Sequence, residues 1–133
     1  LGCLAVDEVE SAVAARQASA ARYRARLGRN PGIRFQEELP GARSAYKDFA
    51  ILCPERRDGL AEHLARAGVQ TKKYFVPLHT MPAYASFRRA DDDLGDTEEV
   101  ARTVLCLPMF NELEEADVER VSGSVLDFYG LAG

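Results

Sequence analysis

Apolar and small residues at Val6, Val9, Val13, Ala20, Tyr23 and Leu27 recur at steps of three and four. That spacing lines them along one side of an α-helix over residues 6–27, roughly 30 Å long at 1.5 Å per residue. Asp7, Glu8 and Glu10 open the helix and Arg22, Arg24 and Arg26 close it, as the macrodipole favours. Gly28 and then Asn30-Pro31-Gly32 stop it. Residues 33–36 read as a short strand, and 37–44, with Pro40-Gly41, as a loop. Over 46–53 (YKDFAILC) Phe49, Ile51 and Cys53 alternate with Ala50 and Leu52, giving a strand covered on both sides toward its C-terminal end. Helical spacing returns over 56–67, with Leu60 and Leu64 inward and Gly68 as the stop. His63 falls at the edge of that stripe, where packing accounts for it.

Residues 69–76 are rich in β-branched and aromatic side chains and read as a further strand. Pro77 and Pro82 end it in a stiff loop that carries His79 outward. The run Asp91-Asp92-Asp93 lacks the alternate spacing of a calcium loop and reads as a solvated turn. Asp96 or Thr97 reads as an N-cap, with Glu99 placed for a capping box, ahead of a short helix whose inner face is Val100, Ala101 and Val104. A buried strand over 105–108 follows, closed by Pro108. A final helix over 114–129 turns Val118, Val121, Val125 and Phe128 inward. Glu114 stands at its start, where Ser, Thr or Asp is the usual cap, at a cost of about 1 kcal/mol at most. This order predicts an α+β fold in which helices cover a small, mostly antiparallel sheet, in a single domain over 1–133.

Composition narrows the choices. At 133 residues, 47% of them hydrophobic and 29% charged, the chain suits one globular core without staples. A net charge of −4 argues against a nucleic-acid surface, which shows as a basic excess. No apolar run approaches the ~20 residues that cross a bilayer, so no membrane partner is expected. Cys3, Cys53 and Cys106 are odd in number and lack C-x-x-C spacing, which fits reduced thiols, with Cys53 and Cys106 as small core residues. Their spacing with His63 and His79 matches no usual zinc pattern, so no metal site is assigned. LGCLAV at the start carries no basic stretch of a signal peptide, and a cytoplasmic location is expected. The first residue is Leu rather than Met, so a processed product or a piece of a longer one is expected.

Catalytic signatures are scarce. Two histidines without a G-x-S-x-G elbow give no nucleophilic triad, and neither common Gly-rich phosphate loop is present. Lys47, Lys72 and Lys73 are the only lysines among 17 Lys and Arg residues, so Schiff-base chemistry has three candidates. Lys47, beside Asp48, reads as an ion-pair partner instead. Recognition remains. Lys72, Lys73, Tyr74, His79 and Tyr84 offer charge, hydrogen bonds and ring faces to a phosphorylated or sugar-bearing ligand. The plainer reading has Tyr74 and Phe75 filling the core while the lysines face water.

Several segments, in order, carry a family likeness. Arg22-Tyr23 resembles the "R…Y…L" of an inter-domain helix, and Tyr46-Lys47-Asp48-Phe49 the strand after it. Arg57-Asp58 with Leu60 and Leu64 resembles "RD-x-L-x-x-x-L". Gly68-Val69-Gln70-Thr71, Tyr74-Phe75 and Pro77-Leu78-His79 are similar to "G-I-x-T…Y-F…P-L-H". Thr97-Glu98, Leu107-Pro108-Met109-Phe110 and Asp117-Val118 with Val121 resemble the closing "T-E…LP-x-x…V-x-x-V". Together they resemble the C-terminal small domain of the DegT/DnrJ/EryC1/StrS sugar aminotransferases. Two departures stand out. Many members have His-Tyr where this chain has Tyr74-Phe75, and the stretch from Thr71 to His79 is a residue shorter than in some.

The resemblance implies a fold-type-I aminotransferase that passes an amino group to a nucleotide-linked keto sugar. It implies pyridoxal phosphate in the full-length enzyme, held by an N-terminal large domain whose motifs this chain lacks, and none bound by this chain alone. It also implies a homodimer, closure of the small domain over the nucleotide-sugar, and no catalytic residue here. Lys73, Tyr74, His79 and Tyr84 are the substrate-side candidates. The alternative is a stand-alone binding module derived from such an enzyme. An excised domain is expected to expose an apolar patch where the large domain packed, near Tyr23 or Phe87; a stand-alone module would keep that face covered.

Overall fold

Phe49 and Ile51 alternate with Ala50 and Leu52, and this period of two builds β2 (Phe49–Leu52). The computed structural model describes residues 6, 8–87, 89 and 93–131. Within it β2 is the middle strand of an antiparallel sheet, flanked by β1 (Arg34–Phe35) and β3 (Val104–Leu107). The register sets Ile51 opposite Phe35 and Leu105, and Phe49 opposite Leu107. Phe49, Ile51, Leu105 and Leu107 therefore share one face, and all four are buried.

Three helices cover that face: α1 (Val9–Leu27), α2 (Arg57–Arg66) and α4 (Glu115–Tyr129), with α4 packed against the other two. Tyr23 and Leu27 of α1, Leu60 and Leu64 of α2, and Val118, Val121 and Val125 of α4 join the sheet in one core. The result is the expected α+β arrangement. Tyr23 ties two layers together: its ring stacks on Phe49 at 4.9 Å and its hydroxyl donates to the Pro108 carbonyl at 3.1 Å. Only the C-terminal half of α1 reaches the core, for its buried residues begin at Ser19 while Val9 is exposed. Cys53 and Cys106 are buried as expected, and burial pushes both thiols up to about 11.

Helix ends differ from one another in chemistry. After α2, Gly68 takes φ +73°; its N–H donates to Ala65 and that of Val69 to Leu64, a Schellman closure with Leu64 and Val69 both buried. The capping box expected at 96–99 does not form. α3 (Gly95–Thr103) starts earlier, after Leu94, with no side-chain cap, and Asp93 Oδ1 accepts the Gly95 N–H instead. Asp91 and Asp92, like Cys3 and Asp7, lie outside the described residues. At α4, Glu114 is the N-cap and makes no side-chain cap bond, as its residue type foretells.

The strand expected over 46–53 is shortened, because Tyr46 has φ +41° and breaks the extended run before Phe49. That expected over 69–76 does not form. A single bridge survives, Lys72 paired with Cys106 through N···O distances of 3.1 and 2.8 Å. Beyond it Tyr74 and Phe75 stack on each other at 4.3 Å, which neighbours in a strand cannot do because they point to opposite faces. High β propensity without a partner strand produced a ring pair on the surface. Then come two 3₁₀ turns, Leu78–Thr80 and Pro82–Phe87.

Candidate functional site

Where the chain leaves α2 and the Lys72 bridge, it passes the first turn of α2 and one face of α3, and a cleft of about 570 Å³ opens between them. Arg57, Lys73, Glu98 and Arg102 supply its charged wall, Tyr74, Phe75, Val76 and Pro77 its apolar one. Glu98 and Arg102 are one helical turn apart on α3, which puts both on the side that meets the cleft.

Asp58 organises the cationic part. Its Oδ1 accepts from Lys73 Nζ at 2.7 Å and from Arg57 Nε at 2.8 Å. Those bonds, Lys73 first and Arg57 second, hold the Asp58 carboxyl below the usual carboxylate range. Arg57 also donates from Nη1 to the Ala101 carbonyl at 2.9 Å, which pins α2 to α3. With 18% of its side chain exposed, Arg57 presents a preset edge rather than a mobile arm.

Tyr74 is fixed from two sides. Its hydroxyl donates to Asp48 Oδ1 at 3.2 Å and accepts from Lys72 Nζ at 3.4 Å. That leaves Asp48 engaged with Tyr74 and not with Lys47, which forms no ion pair among the described residues. Phe75 lies against the Tyr74 ring and is 75% exposed, so the reading in which Phe75 fills the core fails. The two rings offer a flat, preassembled surface at the edge of a cationic cleft. Such a combination suits a ligand with a planar or sugar-ring part and a multiply charged anionic part.

His79 is turned inward, not outward. The 3₁₀ turn Leu78–Thr80 closes with Thr80 Oγ1 donating to the Pro77 carbonyl at 2.8 Å, and exposes Leu78 in place of the histidine. His79, with 11% of its side chain exposed, sets Nε2 at 3.0 Å from Glu98 Oε1. Tyr84 sits on the second 3₁₀ turn, half-exposed and away from the cleft wall. The structure thus brings Lys73 and Tyr74 into the cleft, connects His79 to it through Glu98, and leaves Tyr84 outside.

Arg57, Phe75, Glu98 and Arg102 are cleft residues that sequence reasoning does not single out as a site. A signal existed for two. Glu98 and Arg102 are four apart on a helix, beside the two small-to-medium apolar residues Val100 and Ala101. Nothing in the sequence alone places that helix against residues 73–77.

Comparison with known proteins adds the lineage. A dTDP-3-amino-3,4,6-trideoxy-alpha-D-glucose transaminase from Streptomyces venezuelae is 35% identical over 114 residues, which cover 85% of this chain and 30% of that one. A dTDP-4-dehydro-2,3,6-trideoxy-D-glucose 4-aminotransferase from Saccharopolyspora spinosa is 31% identical over 124 residues, 92% of this chain and 31% of that one. The crystal structure of S. venezuelae DesV superposes with a TM-score of 0.86 at 34% identity, covering 92% of this chain and 33% of DesV. The chain spans about a third of the length of these relatives. The model of the DegT/DnrJ/EryC1/StrS aminotransferase family matches residues 1–126, nearly the whole sequence, and this chain belongs to that family.

Proposed function

We propose that this chain is the C-terminal small domain of a pyridoxal-phosphate-dependent aminotransferase acting on a nucleotide-linked keto sugar, and that it supplies substrate contacts and closes over the active site. The observation that carries this reading is the cleft itself: Arg57, Lys73 and Arg102 beside an exposed stack of Tyr74 and Phe75. Cations on one side suit a diphosphate, and ring faces beside them suit a base or sugar. A volume of about 570 Å³ is in the range that holds a small organic ligand. Lys73 and Tyr74 contact the ligand directly and His79 contributes through Glu98; Tyr84, exposed outside this cleft wall, would reach the substrate only from beyond the cleft.

Pyridoxal phosphate does not fit this chain's own lysines. Lys73 is ion-paired with Asp58, the Tyr74 hydroxyl holds Lys72 toward its charged form, and Lys47 is exposed. None of the three sits in the desolvated apolar pocket that activates a lysine for Schiff-base chemistry. The cofactor site is assigned to the part of the enzyme outside this chain. The full enzyme is read as a cytoplasmic homodimer; among the described residues no helix is long and apolar enough to cross a membrane.

The exposed apolar side chains favour this reading over a stand-alone module. Tyr23 is fully buried, so no patch forms there, but Phe75, Val76, Leu78, Phe87 and Val100 are all exposed. Phe75 and Val100 line one shallow depression with Tyr74 and Pro77. Val76, Leu78, Phe87 and Val100, exposed around the ligand cleft, suit packing by a large domain beside it. The direct test is amino transfer by the full-length gene product, supplied with pyridoxal phosphate, glutamate and a panel of nucleotide-linked keto sugars, with products identified by mass spectrometry. Amino-sugar nucleotides are expected. Transfer confined to free keto acids would overturn the substrate class.

A further inference from the structure

We propose that Glu98 recognises a hydroxyl group of the sugar and that His79 is the residue that positions it, an inference that rests on the nucleotide-sugar reading above. Arg57, Lys73 and Arg102 are the cations of the cleft, and Glu98 is the one carboxylate on its wall among the described residues. A carboxylate repels a diphosphate and accepts from hydroxyls. The cleft is therefore chemically divided, with the phosphates drawn to the cations and a hydroxyl-bearing group to Glu98.

The geometry gives Glu98 one fixed oxygen and one open one. Oε1 is engaged by His79 Nε2 at 3.0 Å, and Oε2 has no partner among the described residues although 46% of the side chain is exposed. A long acidic side chain ordinarily loses rotamer freedom when it grips a ligand. Here His79 has already restricted it, so Oε2 is preset as an acceptor. Neutral imidazole with its proton on Nε2 and the protonated ring can both donate to Oε1, so the bond forms with either. His79 itself is nearly buried and absent from the cleft wall, and the Thr80 bond to the Pro77 carbonyl closes the turn that carries it. It acts through Glu98.

A purely structural pair would tie the 3₁₀ turn to α3 and affect all ligands alike. Isothermal titration calorimetry on the full-length gene product separates the two, with UDP and dTDP as probes against UDP-glucose and dTDP-glucose. The wild type is expected to bind at least one glucose conjugate more tightly than its bare diphosphate. Glu98→Ala is expected to weaken that conjugate about tenfold, the scale of one hydrogen bond to a charged group, and to leave the bare diphosphate within about twofold. His79→Ala should do the same in smaller measure, His79→Gln should restore part of the loss, and the double variant should be no worse than Glu98→Ala alone. Equal weakening of conjugate and diphosphate, additive losses in the double variant, or an unchanged Glu98→Ala would overturn the proposal while leaving the nucleotide-sugar reading standing. A wild type that binds none of the four probes would overturn both. Glu98 is half-exposed, so its variant carries the test even where His79→Ala fails to fold.

Discussion

Tyr23 is fully buried, yet it brings a polar group into the core, and the cost of that is met by one bond to the Pro108 carbonyl. The same ring packs on Phe49, so one residue of α1 grips both the sheet and the turn after β3. Burial and the nearby Asp117 carboxylate raise the phenol well above its ordinary range, and it stays a neutral donor at any physiological pH. Tyr23→Phe keeps the packing and removes the donor, so a loss of about 1 kcal/mol is expected, read as a lower urea midpoint with an unchanged slope. No loss would mean that the bond contributes nothing. At this scale the sequence was uneven in what it showed. The apolar spacing of α1 made Tyr23 a core residue, whereas His79, read from Pro77 and Pro82 as carried outward on a stiff loop, turned inward. A 3₁₀ turn of three residues has no period long enough to leave a trace in sequence, and it decides which of Leu78 and His79 faces water.

Among the elements, helices are the most legible, for a simple reason. The spacing of Leu60 and Leu64, or of Val118, Val121 and Val125, records a buried stripe that only tertiary packing explains. Residues 69–76 show the converse. Their composition favours a strand, but strand formation needs a partner edge, and β3 supplies one only as far as Lys72. The remainder became the ring pair on the cleft, so the failed expectation and the candidate site are the same residues. The end of α2 offers a sharper test of local reasoning. Gly68 sits at φ +73° with no atom within 4 Å of where a Cβ would stand. Gly68→Ala is therefore expected to cost about 1–2 kcal/mol from backbone conformation alone, and Gly68→Asn less, since Asn tolerates that region better. Equal stability of the two variants in urea titration would show that the left-handed closure is not under strain.

At the scale of the molecule, core and site lie in different layers. The sheet and three helices bury one continuous apolar cluster, while the cleft forms where α3, the start of α2 and residues 73–77 come together at the margin. The fold was legible because each layer carries its own periodicity. The cleft was legible only in part, since Arg57, Lys73 and Glu98 come from three separated segments and no single stretch of sequence shows their meeting. Family membership is established by the match over residues 1–126, and the open apolar side chains around Phe75 fit a chain that spans about a third of its relatives. The central claim is that this cleft holds the nucleotide-sugar. Steady-state kinetics of Lys73→Ala in the full-length gene product test it most directly. The account predicts that KM for the nucleotide-sugar rises about tenfold or more, the amino donor's KM staying within about twofold, because one charge-assisted contact to the anionic part of one substrate is lost. An unchanged KM for the nucleotide-sugar, or an equal rise for both substrates, would contradict it.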